Sequence, residues 1–208
     1  MRPWAIRFFE RQWLVNAILF GNYVQLRDGA LDALGATLPG RTLQIACVYG
    51  DMTECLYERV RAGEGRLDVV DVLPGQIENL RRKLPAAAHM RGMVMDSADL
   101  KAPDGRYDRA ILFFLLHEQP DEWRRKTLAE AFRVVRPGGR IVIVDYARPA
   151  WWHPFRYLMP PALAFLEPFA LDLWRSDLQT FLGASAPVRA LARTTVFGGL
   201  YQSVVIER

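Results

Sequence analysis

The chain has 208 residues, of which 51% are apolar and 24% charged, and this composition is typical of one globular domain that buries a full core. The formal net charge is only +4, and no run of Lys and Arg with interleaved aromatic residues occurs, so we predict that nucleic acid is not a partner. The two cysteines, Cys47 and Cys55, do not form the spaced framework of a secreted disulfide scaffold, and we therefore expect a reducing compartment.

The first predicted element is an amphipathic helix over residues 4–20, within an N-terminal element of residues 1–25. Its uncharged stretch falls short of the roughly 18 residues that span a bilayer. Two interpretations stay open: the helix packs on the sheet, or it lies in a membrane interface and collects a lipid substrate there. The apolar residues that recur at spacings of three and four are Ile6, Phe9, Trp13, Ala17 and Phe20.

Apolar runs that alternate with helical segments follow. A helix predicted over 121–136 ends at Pro137-Gly138-Gly139, before the strand "RIVIVDY". This alternation predicts a doubly wound α/β fold with a mostly parallel sheet, in a single domain of residues 1–208. Two final segments, joined through Gly198-Gly199, should close the sheet as an antiparallel hairpin. The apolar runs that we predict to be the other strands cover residues 41–48, 66–72, 91–96 and 106–116.

Residues 148–174 form an apolar insertion rich in Trp, Phe, Leu and Pro. One interpretation is a buried pair of helices. The other is an irregular apolar lid over a pocket, because prolines interrupt the segment at five positions. We expect the lid, and the prolines concerned are Pro149, Pro154, Pro160, Pro161 and Pro168.

The segment "LQIACVYGDMT" lies at the first strand-to-helix turn, where open α/β sheets bind ligands. It resembles the first motif of class I S-adenosylmethionine methyltransferases, D-x-G-x-G-x-G. It is most similar to the "DxACGTGDxT" form of quinone-biosynthesis methyltransferases. In this resemblance Gln44 takes the place of the acid, Ala46 and Val48 take the places of the first two glycines, and Gly50 is the glycine that remains.

The resemblance also implies a nucleoside site on the strands that follow. Asp71 lies 21 residues beyond Gly50, where a carboxylate reaches the ribose hydroxyls, and Asp96-Ser97 ends the third strand, where the adenine is held. The residues that we expect to bind S-adenosylmethionine are Gln44, Val48, Tyr49, Gly50, Asp51, Asp71, Val72, Asp96 and Ser97.

Several further segments are similar to the RquA family of rhodoquinone biosynthesis. They are "VYGDMT", "FFLLHEQP", "VIVDY" and "LEPFALDLW", together with Trp152, His153, Pro154 and Arg156. This resemblance implies a methyltransferase-like fold that uses Mn²⁺ and transfers the amino group of S-adenosylmethionine to ubiquinone, in place of a ring methoxy group. Gln44 suits that reaction, because a carboxylate there would favour the ammonium form of the cofactor, and only a neutral amine is a nucleophile. Since ubiquinone stays in the bilayer, we expect a peripheral enzyme at the cytoplasmic face of the inner membrane.

Titratable residues at the strand ends are candidates for the base and for metal ligands. Carboxylate and imidazole groups suit Mn²⁺, although a surface or hydrogen-bonding role stays open for each of them. Asp51 with Glu54 also fits a helix N-cap and its reciprocal partner, and Tyr49 also fits simple packing. The predicted catalytic residues are Tyr49, His117, Glu118 and Asp145, and the predicted metal ligands are Asp51, His117, Glu118, Asp145 and His153.

Two other functions stay open. The chain could be a true quinone methyltransferase that uses S-adenosylmethionine, or a non-catalytic quinone-binding or assembly protein whose altered loop binds no cofactor. Binding of S-adenosylmethionine would distinguish either enzyme from the non-catalytic protein. The mass of the quinone product would distinguish methyl transfer from amino transfer.

Overall fold

The computed structural model describes residues 12–84, 88–166, 169–176, 178–182 and 188–208. Its strands form a single sheet, and each strand predicted from the sequence is found within a few residues of its expected place, apart from the start of β5. The strands are β1 (Arg41–Ile45), β2 (Arg66–Asp71), β3 (Met90–Val94), β4 (Tyr107–Phe113), β5 (Val135–Tyr146), β6 (Ala190–Val196) and β7 (Tyr201–Glu207).

The strand order is β3-β2-β1-β4-β5-β7-β6. Strands β1 to β5 pair in parallel, and β7 pairs antiparallel with β5 and β6. The predicted doubly wound α/β fold with a C-terminal antiparallel hairpin is therefore confirmed. The helices of the described residues are α1 (Gln12–Ile18), α2 (Tyr23–Leu34), α3 (Met52–Ala62), α4 (Pro74–Lys83), α5 (Asp121–Val134), α6 (Phe155–Leu166) and α7 (Ala170–Arg175), with 3₁₀ turns at Leu116–Glu118 and Leu178–Phe181.

Two apolar core layers cover the sheet because successive side chains of a strand point to opposite faces. In β4, Ile111 and Phe113 pack in the layer that contains the buried residues of α2 and α3. Ala110 and Leu112 of the same strand pack in the layer that contains those of α5. Strand β4 is buried on both faces, which explains its continuous apolar sequence.

The N-terminal region differs in part from its prediction. The first part of the predicted helix 4–20 lies outside the described residues, and the rest is α1, which is followed by a turn with Gly21 at a φ of 81°. Helix α2 was not predicted. It is amphipathic, and its buried face of Tyr23, Leu26, Ala30, Leu31 and Leu34 packs in the core.

Strand β5 begins earlier than predicted. Helix α5 ends at Val134, and the Pro137-Gly138-Gly139 segment that was expected to separate helix from strand lies inside β5. The pairing between β4 and β5 shifts register between Tyr107 and Arg109, so the strand absorbs these residues as an irregularity.

The apolar insertion 148–174 is mainly helical. Pro160 and Pro161 lie inside α6, while Pro168 lies outside the described residues. The expectation of an irregular segment is wrong for Phe155–Leu166 and Ala170–Arg175, where buried Leu163 packs the helix against the core, while residues 148–154 are irregular as expected. Among the described residues, no helix is both long enough and apolar enough to cross a membrane.

Candidate cofactor and catalytic site

A cavity of about 550 Å³ opens at the carboxyl ends of β1, β2 and β4, a size within the range of small-molecule sites. This is the place at which open α/β sheets bind ligands. Most of the predicted site residues line the cavity, and they are Val48, Tyr49, Asp71, Val72, Asp96, Ser97, His117 and Glu118. None of the described residues of the 148–174 insertion lines it, and the expected lid stays a prediction.

Asp71 connects the loop of residues 46–51, the cofactor loop, to the end of β2. Its Oδ2 accepts a hydrogen bond from the backbone N–H of Cys47 at 2.8 Å, and its Oδ1 accepts one from Leu73 at 2.8 Å. Burial raises the pKa of the Asp71 carboxyl. Each carboxylate oxygen can accept more than one hydrogen bond, so the side chain keeps the capacity to bind two ribose hydroxyls.

Gln44 lies beneath the cofactor loop and does not line the cavity. Its Nε2 donates to the carbonyl of Ala46 at 3.0 Å and to Thr53 Oγ1 at 2.9 Å. Ala46 has a φ of 73°, which is unfavourable for a residue with a Cβ. Gln44 therefore supports a strained turn from below, and its predicted contact with the cofactor stays a prediction.

Gly50 and Asp51 also lie outside the cavity wall. Asp51 accepts hydrogen bonds from Tyr23 Oη at 3.0 Å and from Arg27 Nη1 at 2.7 and 2.8 Å. The phenol oxygen in turn accepts the Asp51 backbone N–H at 2.9 Å. A Cβ built on Gly50 would lie 2.5 Å from that same oxygen, so helix α2 holds the loop at a position where only glycine fits.

This network settles the alternatives for Asp51. It makes no side-chain cap to α3, and Glu54 is paired with Lys83 at 2.9 Å instead of completing a capping box. Burial and the adjacent carboxylate of Asp51 raise the pKa of Tyr23, so the phenol remains a donor at any physiological pH. Asp51 is thus a structural anchor of the loop. The expectation of an N-cap side chain is wrong, and its role as a metal ligand stays a prediction.

His117 and Asp145 form a buried pair at the cavity. His117 lies on the 3₁₀ turn after β4, and its Nδ1 is 2.9 Å from Oδ1 of the fully buried Asp145. Since an ionised carboxylate only accepts hydrogen bonds, this contact places the ring proton on Nδ1 and leaves Nε2 as the proton-accepting nitrogen of the neutral ring. Asp145 does not line the cavity, and its contact with the cavity wall runs through the ring of His117.

The same turn is fixed from both sides. Asp145 accepts the backbone N–H groups of Leu116 and His117 at 2.8 and 3.3 Å. On the opposite side Arg124, which is 0% exposed, donates to the carbonyls of Leu116 at 3.0 Å and Gln119 at 2.9 Å. Burial lowers the pKa of Arg124. A buried guanidinium is costly unless it is hydrogen-bonded, which indicates that the geometry of this turn matters.

The predicted metal ligands are not brought together. Among the described residues, no group of three or more His, Cys, Asp or Glu side chains could hold a metal ion. Asp51 faces Arg27, and His153 packs against Phe197 with ring centroids 4.9 Å apart. His117 and Glu118 line the cavity and Asp145 lies behind His117, so the donors present do not fit the Mn²⁺ site that the resemblance implied.

Several residues of the site were not predicted from the sequence. Tyr23 and Arg27 belong to α2, which was not predicted from the sequence. Arg124 resembles an ordinary surface arginine of an amphipathic helix. The signal that could have identified Arg124 is its place at the first turn of α5, where the apolar face begins. The unpredicted residues that line the cavity include Val15, Leu19, Cys47, Phe114, Trp123 and Tyr146.

Comparisons with known proteins agree on the family of the fold. A family model described as "Methyltransferase domain" matches residues 42–139. A demethylmenaquinone methyltransferase of Thermus thermophilus is 32% identical over 65% of this chain and 61% of its own length, so the chain spans less than two thirds of that relative. A demethylmenaquinone methyltransferase of Renibacterium salmoninarum is 31% identical over 84% of this chain and 70% of its own length. The crystal structure of an S-adenosylmethionine-dependent methyltransferase from Aquifex aeolicus superposes with a TM-score of 0.64 at 17% identity, covering 99% of this chain and 98% of that one.

Proposed function

Because this chain belongs to the class I S-adenosylmethionine-dependent methyltransferase family, we propose that it is a transferase that uses S-adenosylmethionine to modify the ring of a membrane quinone. The observation that carries the cofactor assignment is Asp71, held at the end of β2 in the wall of the cavity and fixed by two backbone N–H groups. The names of the demethylmenaquinone methyltransferase relatives support a quinone as the acceptor.

The proposed cofactor site follows the cavity wall. Asp71 would hold the ribose hydroxyls, and Asp96 with Ser97 would hold the adenine at the end of β3. The methionine end would lie against Val48 and Tyr49 of the cofactor loop, which α2 supports through Tyr23 and Asp51. When bound, S-adenosylmethionine supplies the group that is transferred, and His117 at the cavity accepts a proton from the reacting group.

Methyl transfer is the reaction that the relatives support. Their names describe quinone methyltransferases, and this chain is 24–32% identical to them in sequence. A methyltransferase needs the cofactor's sulfonium methyl group directed at the acceptor carbon and a base near the acceptor. His117, oriented by Asp145, satisfies the second requirement.

Amino transfer to ubiquinone, with replacement of a ring methoxy group, is a second candidate that the cofactor loop itself favours. Gln44 is neutral where the family motif has an acid, and it is buried beneath the loop, where a charge would be poorly screened. The absence of a carboxylate there favours a neutral amine, which is the nucleophilic form. Val48 and Tyr49 add bulk at the cavity wall, where the motif has small residues, and would displace the methionine end.

One labelling experiment separates these candidates. The full-length protein is incubated with ubiquinone or demethylmenaquinone in vesicles and with S-adenosylmethionine that carries ¹³C in the methyl group and ¹⁵N in the amino group. Gain of a ¹³C methyl group shows methyl transfer, and gain of ¹⁵N with loss of the methoxy group shows amino transfer. The reaction is run with Mn²⁺ and with a chelator, so that the implied metal requirement is measured independently of the site's geometry.

The third possibility, a non-catalytic quinone-binding protein, has its own readout. Calorimetric titration with S-adenosylmethionine should show binding that Asp71→Ala weakens by about 1.5–3 kcal/mol, the range for hydrogen bonds to a charged group. Absence of any binding would contradict the proposal for both reactions. We also propose peripheral association with the cytoplasmic face of the inner membrane, because a quinone with a long isoprenoid tail remains in the bilayer.

A further inference from the structure

Helix α6 exposes an apolar face to solvent. Tyr157, Leu158 and Phe165 are 65%, 68% and 86% exposed, and Pro161 and Ala164 between them are exposed as well. These positions follow the spacing i, i+1, i+4, i+7, i+8, which places them on one side of a helix. A surface helix of a soluble protein normally presents polar residues on that side, so α6 has the reverse arrangement.

The opposite face of α6 is anchored, so this exposure is a fixed feature of the fold. Leu163 is buried in the core, and Phe155 and Met159 pack against it. The ring of Phe155 lies 4.5 Å from that of Phe20 and 5.8 Å from that of Phe197, measured between centroids. The outward side chains cannot turn inward without breaking these contacts.

The residues beside α6 have the chemistry of a membrane interface. Trp151 and Trp152 precede the helix and are 76% and 60% exposed, and Trp and Tyr are enriched at bilayer interfaces. Residues 147–166 contain Arg148 and Arg156 but no acidic residue. Arg156 Nη1 donates to the carbonyl of Pro149 at 2.7 Å. The ion pairs among the described residues include neither arginine, so neither charge is neutralised by a carboxylate there, and both can attract anionic headgroups.

The exposed face also adjoins the route to the cavity. Phe20, which contacts Phe155 of α6, lies two residues after the end of α1. Val15 and Ile18 of α1, and Leu19 just after it, line the cavity. An apolar molecule that leaves a bilayer beside α6 would therefore meet α1 and then the site.

We propose that the α6 surface, formed by Trp151, Trp152, Tyr157, Leu158 and Phe165, lies in the interface of an anionic bilayer. This deepens the proposed function, since it names the membrane face through which a lipid-soluble substrate would reach the cavity, and it rests on that function only for the identity of the substrate. The surface inserts its apolar side chains at the level of the headgroups, and Arg148 and Arg156 contact lipid phosphates.

The test is co-sedimentation of the full-length protein with vesicles of phosphatidylcholine containing phosphatidylglycerol. The double variant Leu158→Glu with Phe165→Glu should lose affinity by about tenfold or more for each side chain, because burial of a Leu or Phe is worth at least that factor. The matched control is Val94→Glu with Val188→Glu. These valines are 54% and 36% exposed, so the control makes the same change in charge at apolar surface residues on β3 and before β6, away from α6.

Tryptophan fluorescence provides a second measurement. Trp151 and Trp152 should be quenched by lipids brominated near the headgroup when the parent binds, and this quenching should disappear in the α6 double variant but persist in the control. Equal vesicle binding by the parent and the α6 double variant would overturn the proposal. A different occupant is also testable. If the parent is a dimer without lipid, and the α6 double variant is a monomer that still binds vesicles normally, then a second copy of the chain covers the surface instead.

Failure of the proposed function would look different. If the protein binds vesicles through α6 but transfers neither label from S-adenosylmethionine, the membrane surface stands and the quinone reaction falls. If the protein transfers one of the labels and binds vesicles through α6, activity on a short-tailed soluble quinone should be the same in the parent and in the α6 double variant.

Discussion

Asp145 accepts four hydrogen bonds from a position with no exposure, and Asp145→Asn should disrupt the turn that presents His117. Oδ1 accepts from His117 Nδ1 and the Tyr146 N–H at 2.9 and 2.7 Å, and Oδ2 accepts from the Leu116 and His117 N–H groups at 2.8 and 3.3 Å. An amide has a single acceptor oxygen, so in either orientation its NH₂ faces donors. Loss of two such bonds in a buried site should lower the free energy of unfolding by about 3–5 kcal/mol.

The effect on catalysis follows from the tautomer of His117. If the introduced NH₂ replaces Oδ1, it donates to Nδ1, and the ring proton moves to Nε2, where it blocks proton acceptance. Turnover should then fall by about 10²–10⁴-fold, the contribution of a general base. The nitrogen chemical shifts of the His117 ring report the tautomer directly by NMR, without reference to any substrate.

Controls separate a change in His117 from a general loss of stability. Asp68→Asn removes a buried carboxylate on β2, a different strand from Asp145, that accepts a hydrogen bond from Tyr107 Oη at 2.8 Å. It should lower stability without changing the ring of His117. In a double-mutant cycle, Asp145→Asn should add little to the loss of turnover caused by His117→Gln. Additive losses, or parent turnover in a folded Asp145→Asn protein, would refute the role assigned to this pair.

Three further predictions concern the cofactor loop and its support. Tyr23→Phe keeps the ring but removes both hydrogen bonds to Asp51, so S-adenosylmethionine affinity measured by calorimetry should fall by about 1–3 kcal/mol, and unchanged affinity would remove Tyr23 from the support of the loop. Only the ionised form of Asp71 accepts both ribose hydroxyls, and burial raises the pKa of its carboxyl, so affinity should decline on acidification and begin to fall at a higher pH than an ordinary aspartate would give. Asp71→Asn should abolish this dependence. Gly29→Ala in α2, where the new Cβ has open space around it, should stabilise the protein by about 0.5–1 kcal/mol in denaturant unfolding. Gly50→Ala should destabilise it, because Gly50 has a φ of 88° and the new Cβ would lie 2.5 Å from Tyr23 Oη. The opposite order of stabilities would contradict this description of the loop.

Residue patterns determined the fold and the place of the site. Apolar runs alternating with helical segments are a direct consequence of strands buried on both faces between helices, so they predicted the parallel sheet and its closing hairpin. In such a sheet the carboxyl ends of neighbouring strands meet at one edge. For that reason the strand ends, together with the family resemblance, could place Asp71, Asp96 and His117 at a common site, and the structure finds all three around one cavity.

The roles of individual polar residues depended on the tertiary structure. Asp51 follows a glycine before a helix and fits an N-cap locally, but Arg27 and Tyr23 approach it from a helix 24 and 28 residues away along the chain. A charged hydrogen-bonding partner at that distance outweighs a local cap, and no local pattern indicates which partner will arrive. Gln44, at the place of the motif's acid, likewise turned out to bind Thr53 and a strained carbonyl beneath the loop.

The sequence was least informative about which individual side chains are buried. Arg124 lies among charged residues at the start of α5, yet it is fully buried against carbonyls of the His117 turn, while Phe165 in an apolar helix is 86% exposed. Hydrophobic periodicity indicates which residues share a face of a helix. Which face then meets the core is decided by how the helices dock on the sheet, because the free energy of burial depends on the neighbours that each side chain finds.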